Sequence, residues 1–252
     1  MNVTTLKNTL EINNLELHEM IKNKNIIITG ISRGLGKELC YKLSKNNKIY
    51  GISRSNYKTK NKNIIHYKCD LSDENQIKVA VSDIFKQCGS IHILINNAAV
   101  LKTMPISLMN DKDIKDMVTI NLLGSILMTK YVFRYMAQKK YGRIINISSM
   151  APKISAVGDS VYAATKAGLE SFSRVINKEG HGINITVNNI GITGLYTGML
   201  KQIVGDNPDI ILDIIPHKNL ASIDSIIKII EFICGENSED IGSQTIYLGG
   251  IS

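Results

Sequence analysis

Residues 26–36 read IIITGISRGLG, and this short stretch decides the fold. Ile26–Thr29 is an apolar run of the kind that forms a buried strand. It passes straight into a turn in which Gly30, Gly34 and Gly36 are spaced TGxxxGxG, and helical periodicity then runs from about Leu35 to Lys45. Glycine permits a tight turn and lets the backbone approach a pyrophosphate closely. The helix that follows offers unpaired N–H groups and the positive end of its dipole. Strand, glycine turn and helix in that order predict a dinucleotide cradle built from Gly30, Ser32, Arg33, Gly34, Leu35 and Gly36.

Outward from that unit, strand and helix patterns keep alternating. Strands are expected at Lys48–Ser53, Ile64–Lys68, Ile91–Ile95, Arg143–Ser148, Ile183–Asn189 and Gln244–Leu248. Helices are expected at Asp73–Lys86, Asp111–Lys139, Ser160–Lys178 and Ser222–Cys234, with a long loop over Gly191–Pro216. Near-continuous apolar strands separated by helices imply a parallel sheet covered on both faces. The expected fold class is therefore α/β, a doubly wound parallel sheet in a single domain spanning 25–252. Residues 1–24 form a polar leader in which Leu6, Leu10, Leu17 and Ile21 share one helical face, predicting a short amphipathic helix.

The formal charge is +8 over 252 residues. Nucleic acid is the first partner such a charge suggests. The lysines are dispersed, however, and aromatics are 6% of the chain without a stacking pattern, so no nucleic-acid partner is expected. The charge better suits an anionic ligand or an acidic carrier protein. No apolar run approaches the roughly 20 residues that span a bilayer, so no membrane partner is expected. The N-terminus lacks the apolar core of a secretory signal. Cys40, Cys69, Cys88 and Cys234 have no metal-ligand or disulfide-framework spacing. Together these features indicate a reduced, cytoplasmic compartment and no metal.

The chemistry is carried by VYAATKAGLESF, residues 161–172. Tyr162 and Lys166 stand four residues apart, on one helical face. An ammonium beside a phenol favours the phenolate, lowering a pKa near 10 and fitting the tyrosine for proton transfer. Ser149, thirteen residues ahead of Tyr162, is placed to hold a carbonyl oxygen. At the end of the second strand, where a carboxylate would bind the ribose 2′-hydroxyl of NAD, the sequence has Ser53 and Arg54. Arg33 lies in the glycine turn. Two guanidiniums and no carboxylate favour the 2′-phosphate of NADP(H) over NAD(H).

TGISRGLG, CDLSD, NNAA, INLLG, NISS, YAATK and the closing LGG follow the order and spacing of the short-chain dehydrogenase/reductase family, and the resemblance covers residues 24–252. It implies a Rossmann-type sheet of about seven parallel strands and a homotetramer or homodimer. It also implies contacts of Asp70 and Leu71 with the adenine and of Asn97 with a cofactor ribose. Leu195 and Thr197 match residues that bond the nicotinamide carboxamide. Asn121 matches an asparagine that holds a relay water, Ser149 the catalytic serine, Tyr162 the general acid, and Lys166 the residue that binds the nicotinamide ribose and lowers the tyrosine pKa. One departure stands out: Ile192 and Thr193 occupy the place of the family's proline–glycine pair.

Within the family, the chain most resembles the 3-oxoacyl-[acyl-carrier-protein] reductases. That resemblance implies a carbonyl substrate carried on an acyl carrier protein. The pair Lys139 and Lys140 reads either as a basic dock for such a carrier or as a solvated helix end whose cations complement the dipole. Met104, Met150, Ile154 and Met199 form an apolar, adaptable substrate pocket that suits an acyl chain or a ring alike. A reductase of a cyclic, sugar-derived or other secondary-metabolite ketone is the alternative. A non-catalytic NADP-binding sensor or assembly subunit is the reading from a different class.

Overall fold

The computed structural model describes residues 21–193, 212–213, 215–235 and 237–251. The leader to residue 20, together with the expected contacts at Leu195, Thr197 and Met199, lies outside the described residues.

Seven strands form one sheet: β1 (Asn25–Thr29), β2 (Lys48–Ser53), β3 (Ile64–Lys68), β4 (Ile93–Asn96), β5 (Gly142–Ser149), β6 (Ile185–Ile192) and β7 (Thr245–Tyr247). Their spatial order is β3-β2-β1-β4-β5-β6-β7, and every neighbouring pair is parallel. The strands are isoleucine-rich because both faces are buried and a β-branched side chain fits a pleated surface. Alternation divides them. Ile26 and Ile28 pack on one face with α1 (Gly34–Leu43) and α7 (Ile223–Cys234). Ile27, Leu94 and Ile144 pack on the other with α2 (Glu74–Cys88) and α4 (Gly124–Lys139). Each fully buried isoleucine contributes about 1.5–3 kcal/mol.

The strand order reverses between β1 and β4. In an open parallel sheet that switch point leaves a crevice at the carboxyl ends of the strands. Close approach there depends on small residues. Gly30 and Gly34 have φ of +76° and +57°, the left-handed region. A Cβ at Gly36 would meet the Gly30 carbonyl oxygen and lie 2.5 Å from Asn97 Nδ2.

Two elements differ from the sequence reading. The single helix expected over 111–139 is interrupted: α3 (Asp111–Met117) passes through a π-helical turn, Val118–Leu123, before α4 begins. The expected strand end at Asn189 moves three residues to Ile192. No proline stands at 192 or 193 to remove a donor, so the ladder continues, with Ile192 opposite Ser149 and its carbonyl accepting the Met150 N–H at 3.0 Å. The remaining helices near the site are the short α5 (Ala151–Ile154) and α6 (Ser160–Glu179).

Candidate active site

The crevice collects residues from four sequence regions at the carboxyl ends of β1, β4 and β5. The glycine turn leads into α1, whose N-terminus has no capping side chain and no acidic residue in its first turn. By contrast α2, α3 and α7 are capped by Asp73, Asn110 and Ser222. The first N–H groups of α1 therefore stay available to an anion. Asn97 closes the turn: its Nδ2 donates to the Thr29 carbonyl at 2.8 Å, and its own N–H and that of Ala98 both donate to Thr29 Oγ1 at 3.0 Å.

The groups that would choose the cofactor lie at the rim. Arg33 and Arg54 are exposed, and among the described residues neither joins an ion pair. Ser53 is buried, its Oγ donating to the Ser55 carbonyl at 2.9 Å and lying 2.9 Å from His66 Nε2. Asp70 Oδ1 accepts the Ser72 N–H at 3.0 Å and the Ser72 hydroxyl at 2.9 Å, which fixes the turn after β3. Leu71 is buried, and Gly124 leaves room for its carbonyl. Glycine turn, uncapped helix end and unpaired guanidiniums fit a phosphorylated dinucleotide.

β5 delivers Ser149 to the crevice and α6 delivers Tyr162 and Lys166. All three are buried. Ser149 Oγ accepts the Ala151 N–H at 3.2 Å. Lys166 Nζ donates to the Ile147 carbonyl at 2.7 Å and lies 5.7 Å from the Tyr162 ring centroid. Burial pushes the Tyr162 phenol up to about 12, a hydrogen bond with Ser149 pulls it down, and Asp159 pushes it up. Burial also pushes the Lys166 ammonium down to about 8, while the Glu170 charge pulls it up. In the protein alone, desolvation of both groups dominates and runs against the expected lowering of the tyrosine by its lysine. At neutral pH Tyr162 is a phenol, the form that donates a proton.

Asn121 sits in the π-helical turn, fully buried. Its Oδ1 accepts the Val100 N–H at 2.8 Å, and its Nδ2 donates to the Val100 carbonyl at 2.9 Å and to Thr165 Oγ1 at 3.4 Å. The side chain thus fastens the loop after β4 to α6. Thr193, at the altered pair, is buried and accepts the Ala221 N–H at 2.8 Å.

Of the pocket residues, Met150 is partly buried against Ile215, Ile154 is partly buried, and Met104 is exposed. The Met104 N–H donates to the Gly158 carbonyl at 3.0 Å, and Thr103 Oγ1 donates to Asp159 at 2.8 Å. These bonds join the loop after β4 to the loop entering α6. Their rim exposes Met104, Ile106, Leu108 and Val157. Lys139 and Lys140 are misplaced for a carrier dock beside this rim. They end α4 just before the start of β5, whereas Ser149 ends that strand, so about 23 Å separates the two ends. Lys140 is the left-handed C-cap of α4, a setting where cations complement the helix dipole.

Three neighbours of the site escaped the sequence reading. Ser148 donates to Glu170, and Tyr247 OH donates to both Glu170 oxygens at 2.9 Å. Beneath them a buried polar seam crosses the sheet. Asn96 Nδ2 donates to Asn146 at 2.8 Å, Asn146 Nδ2 to Ser173 at 2.8 Å, and Ser173 Oγ to Asn189 at 2.7 Å. Asparagines inside otherwise apolar strands were the available signal. No described helix is long and apolar enough to cross a membrane, and the described residues hold no cluster of metal-ligand side chains.

Comparison with known proteins gives a consistent answer. A family model described as short chain dehydrogenase matches residues 24–208. The chain is 33% identical over 235 residues to a 3-oxoacyl-[acyl-carrier-protein] reductase of Buchnera aphidicola subsp. Baizongia pistaciae, covering 90% of this chain and 96% of that protein. It is 28% identical to a 2-dehydro-3-deoxy-D-gluconate 5-dehydrogenase of Formosa agariphila, over 91% of this chain and 92% of that one. Among solved structures, ElxO with NADP bound superposes with a TM-score of 0.83 at 24% identity, covering 90% of this chain and 97% of that one. The ligand-free aldohexose dehydrogenase of Thermoplasma acidophilum gives 0.81 at 22% identity, covering 90% and 92%.

Proposed function

The chain belongs to the short-chain dehydrogenase family of oxidoreductases, and from that premise we propose that it reduces a ketone to a secondary alcohol with NADPH, its substrate being a 3-oxoacyl thioester. The observation that carries the proposal is the buried convergence of Ser149, Tyr162 and Lys166 beside the glycine turn.

The proposed division of labour rests on the family resemblance taken together with this geometry. The turn from Gly30 to Gly36 and the N-terminus of α1 hold the pyrophosphate, and Arg33 and Arg54 hold the 2′-phosphate. Asp70 and Leu71 face the adenine, Asn97 a ribose, and Lys166 the nicotinamide ribose. When bound, the cofactor supplies hydride. Ser149 and Tyr162 orient the substrate carbonyl oxygen by hydrogen bonds, and Tyr162 OH donates the proton that the developing alkoxide takes. Lys166 and Asn121 belong to the route that resupplies that proton.

The exposed apolar rim suits an acyl chain, as does the kinship with acyl-carrier reductases. With Lys139 and Lys140 at the far end of β5, an acidic carrier would meet the exposed Lys102 and Lys153 instead. The Formosa relative favours a second reading, reduction of a sugar-derived ketone. The proposed setting is cytoplasmic and the assembly a homodimer or homotetramer. The test is the loss of nicotinamide absorbance with NADPH, and separately NADH, on adding acetoacetyl-CoA. Consumption that depends on NADPH supports the proposal. No consumption of either nucleotide with acetoacetyl-CoA or with sugar-derived ketones, while NADPH still binds, would replace it with a non-catalytic, NADP-binding role.

A further inference from the structure

A buried ammonium needs a counter-charge, and the Ile147 carbonyl that Lys166 bonds is neutral. One helical turn along α6, on the same face, stands Glu170, itself only 8% exposed. Donors from two strands grip its carboxylate: the Ser148 hydroxyl of β5 and the Tyr247 hydroxyl of β7. A carboxylate that accepts from two strands is fixed in orientation. The fold makes room for this arrangement, since a Cβ at Gly191 of β6 would clash with the Tyr247 ring.

We propose that Glu170 is a positioning residue for the reaction, the buried counter-charge that keeps Lys166 protonated, with Ser148 and Tyr247 fixing its orientation. The proposal rests on the reading of Lys166 given above. The pull of Glu170 on Lys166 opposes the burial that brings the ammonium down to about 8. The other charged and titratable groups around the pair do not replace it. Tyr162 is a phenol, Asp159 acts on Tyr162, Lys153 of α5 lies over the Tyr247 ring at 5.5 Å, and Arg174 of α6 acts on Tyr247. Glu170 is the carboxylate that acts on Lys166.

The test titrates Lys166 directly, by NMR of protein labelled with 13C at the lysine Cε. Its resonance is identified by its loss in Lys166→Met. In Glu170→Gln the midpoint should fall by about one pH unit or more, a tenfold loss of proton affinity, whereas Glu170→Asp should retain most of the wild-type value. If Glu170→Gln does not fold, Glu170→Met removes the same charge at similar volume and carries the same expectation. The alkaline limb of NADPH-dependent turnover should move to lower pH by the same amount. An unchanged Lys166 midpoint without the carboxylate would overturn the proposal and leave the reductase reading intact. A shifted midpoint in a protein that turns over no ketone would sink the reductase reading and leave the counter-charge standing.

Discussion

Tyr162 is where burial and hydrogen bonding compete most directly. Burial holds the phenol near 12, and Ser149 works against it. Tyr162→Phe removes the proton donor while keeping the ring that packs in the pocket. Turnover should fall by about 10²–10⁴, while NADPH binding, followed by nicotinamide fluorescence, stays close to wild type. Unchanged turnover would remove Tyr162 from the mechanism. At the rim, Arg54→Asp replaces a charge-assisted partner of the 2′-phosphate with a repulsive carboxylate. A hydrogen bond to a charged group is worth about 1.5–3 kcal/mol, so the Kd for NADPH should rise by roughly tenfold or more while that for NADH does not. Competition titrations with the two nucleotides read this directly. The spacing of Tyr162 and Lys166 was legible because four residues make one helical turn. Ser148, Glu170 and Tyr247 were not, because three distant segments meet only when β5, β6 and β7 pair. The direction of the tyrosine shift was missed for a related reason: sequence spacing reports a neighbour, whereas desolvation depends on everything packed around it.

The glycine turn with α1 is the element whose geometry leaves least freedom. Gly36→Ala would drive a methyl group into the Gly30 carbonyl oxygen and toward Asn97, which itself bonds Thr29. The carbonyl is backbone and the Asn97 amide is pinned by its bond to Thr29, so the turn must move. Overpacking of this kind costs about 1–3 kcal/mol. The variant should unfold at lower denaturant and bind NADPH far more weakly. Gly89, the left-handed C-cap of α2, is the control: a Cβ there meets nothing within 4 Å. Gly89→Ala should cost about 1–2 kcal/mol through its positive φ alone and leave cofactor binding intact. Equal NADPH affinities in the two variants would deny the turn its role. The turn was legible because glycine spacing and the change from strand to helix period coincide. The π-helical turn at 118–123 was not, because one widened turn leaves apolar periodicity nearly unchanged. The end of β6 was misjudged because Gly191 read as the start of a long loop. Ile192 simply continued the ladder, and Thr193 found a partner in Ala221.

At the scale of the whole molecule, seven parallel strands were legible from their alternation with helices, since crossover connections leave few ways to order them. The same complete burial sets how stability responds to alkali. The thiols of Cys40, Cys69 and Cys234 ordinarily ionise at 9.0, and burial holds them at about 12, 11 and 12. A raised thiol contributes stability that is intact below pH 9 and lost as pH climbs toward the folded value, because only the unfolded chain gives up the proton. Lys166 acts with the opposite sign. Its ordinary value of 10.5 falls to about 8 on folding, so between those values the unfolded chain holds an extra proton and stability rises with pH. From pH 7 to about 8.5 the lysine outweighs the thiols. Above about 8.5 these three thiols and that of Cys88, which burial also pushes up, oppose one ammonium, each by up to about 1.4 kcal/mol per pH unit. Urea unfolding at half-unit steps from pH 7 to 10.5 should therefore show a shallow maximum near pH 8.5. Lys166→Met should abolish the rise below that maximum and keep the fall above it. The fall arises from burial on both faces of the sheet, and the rise from one charge enclosed for catalysis. A rise that persists in Lys166→Met would mean that the buried ammonium is not its source.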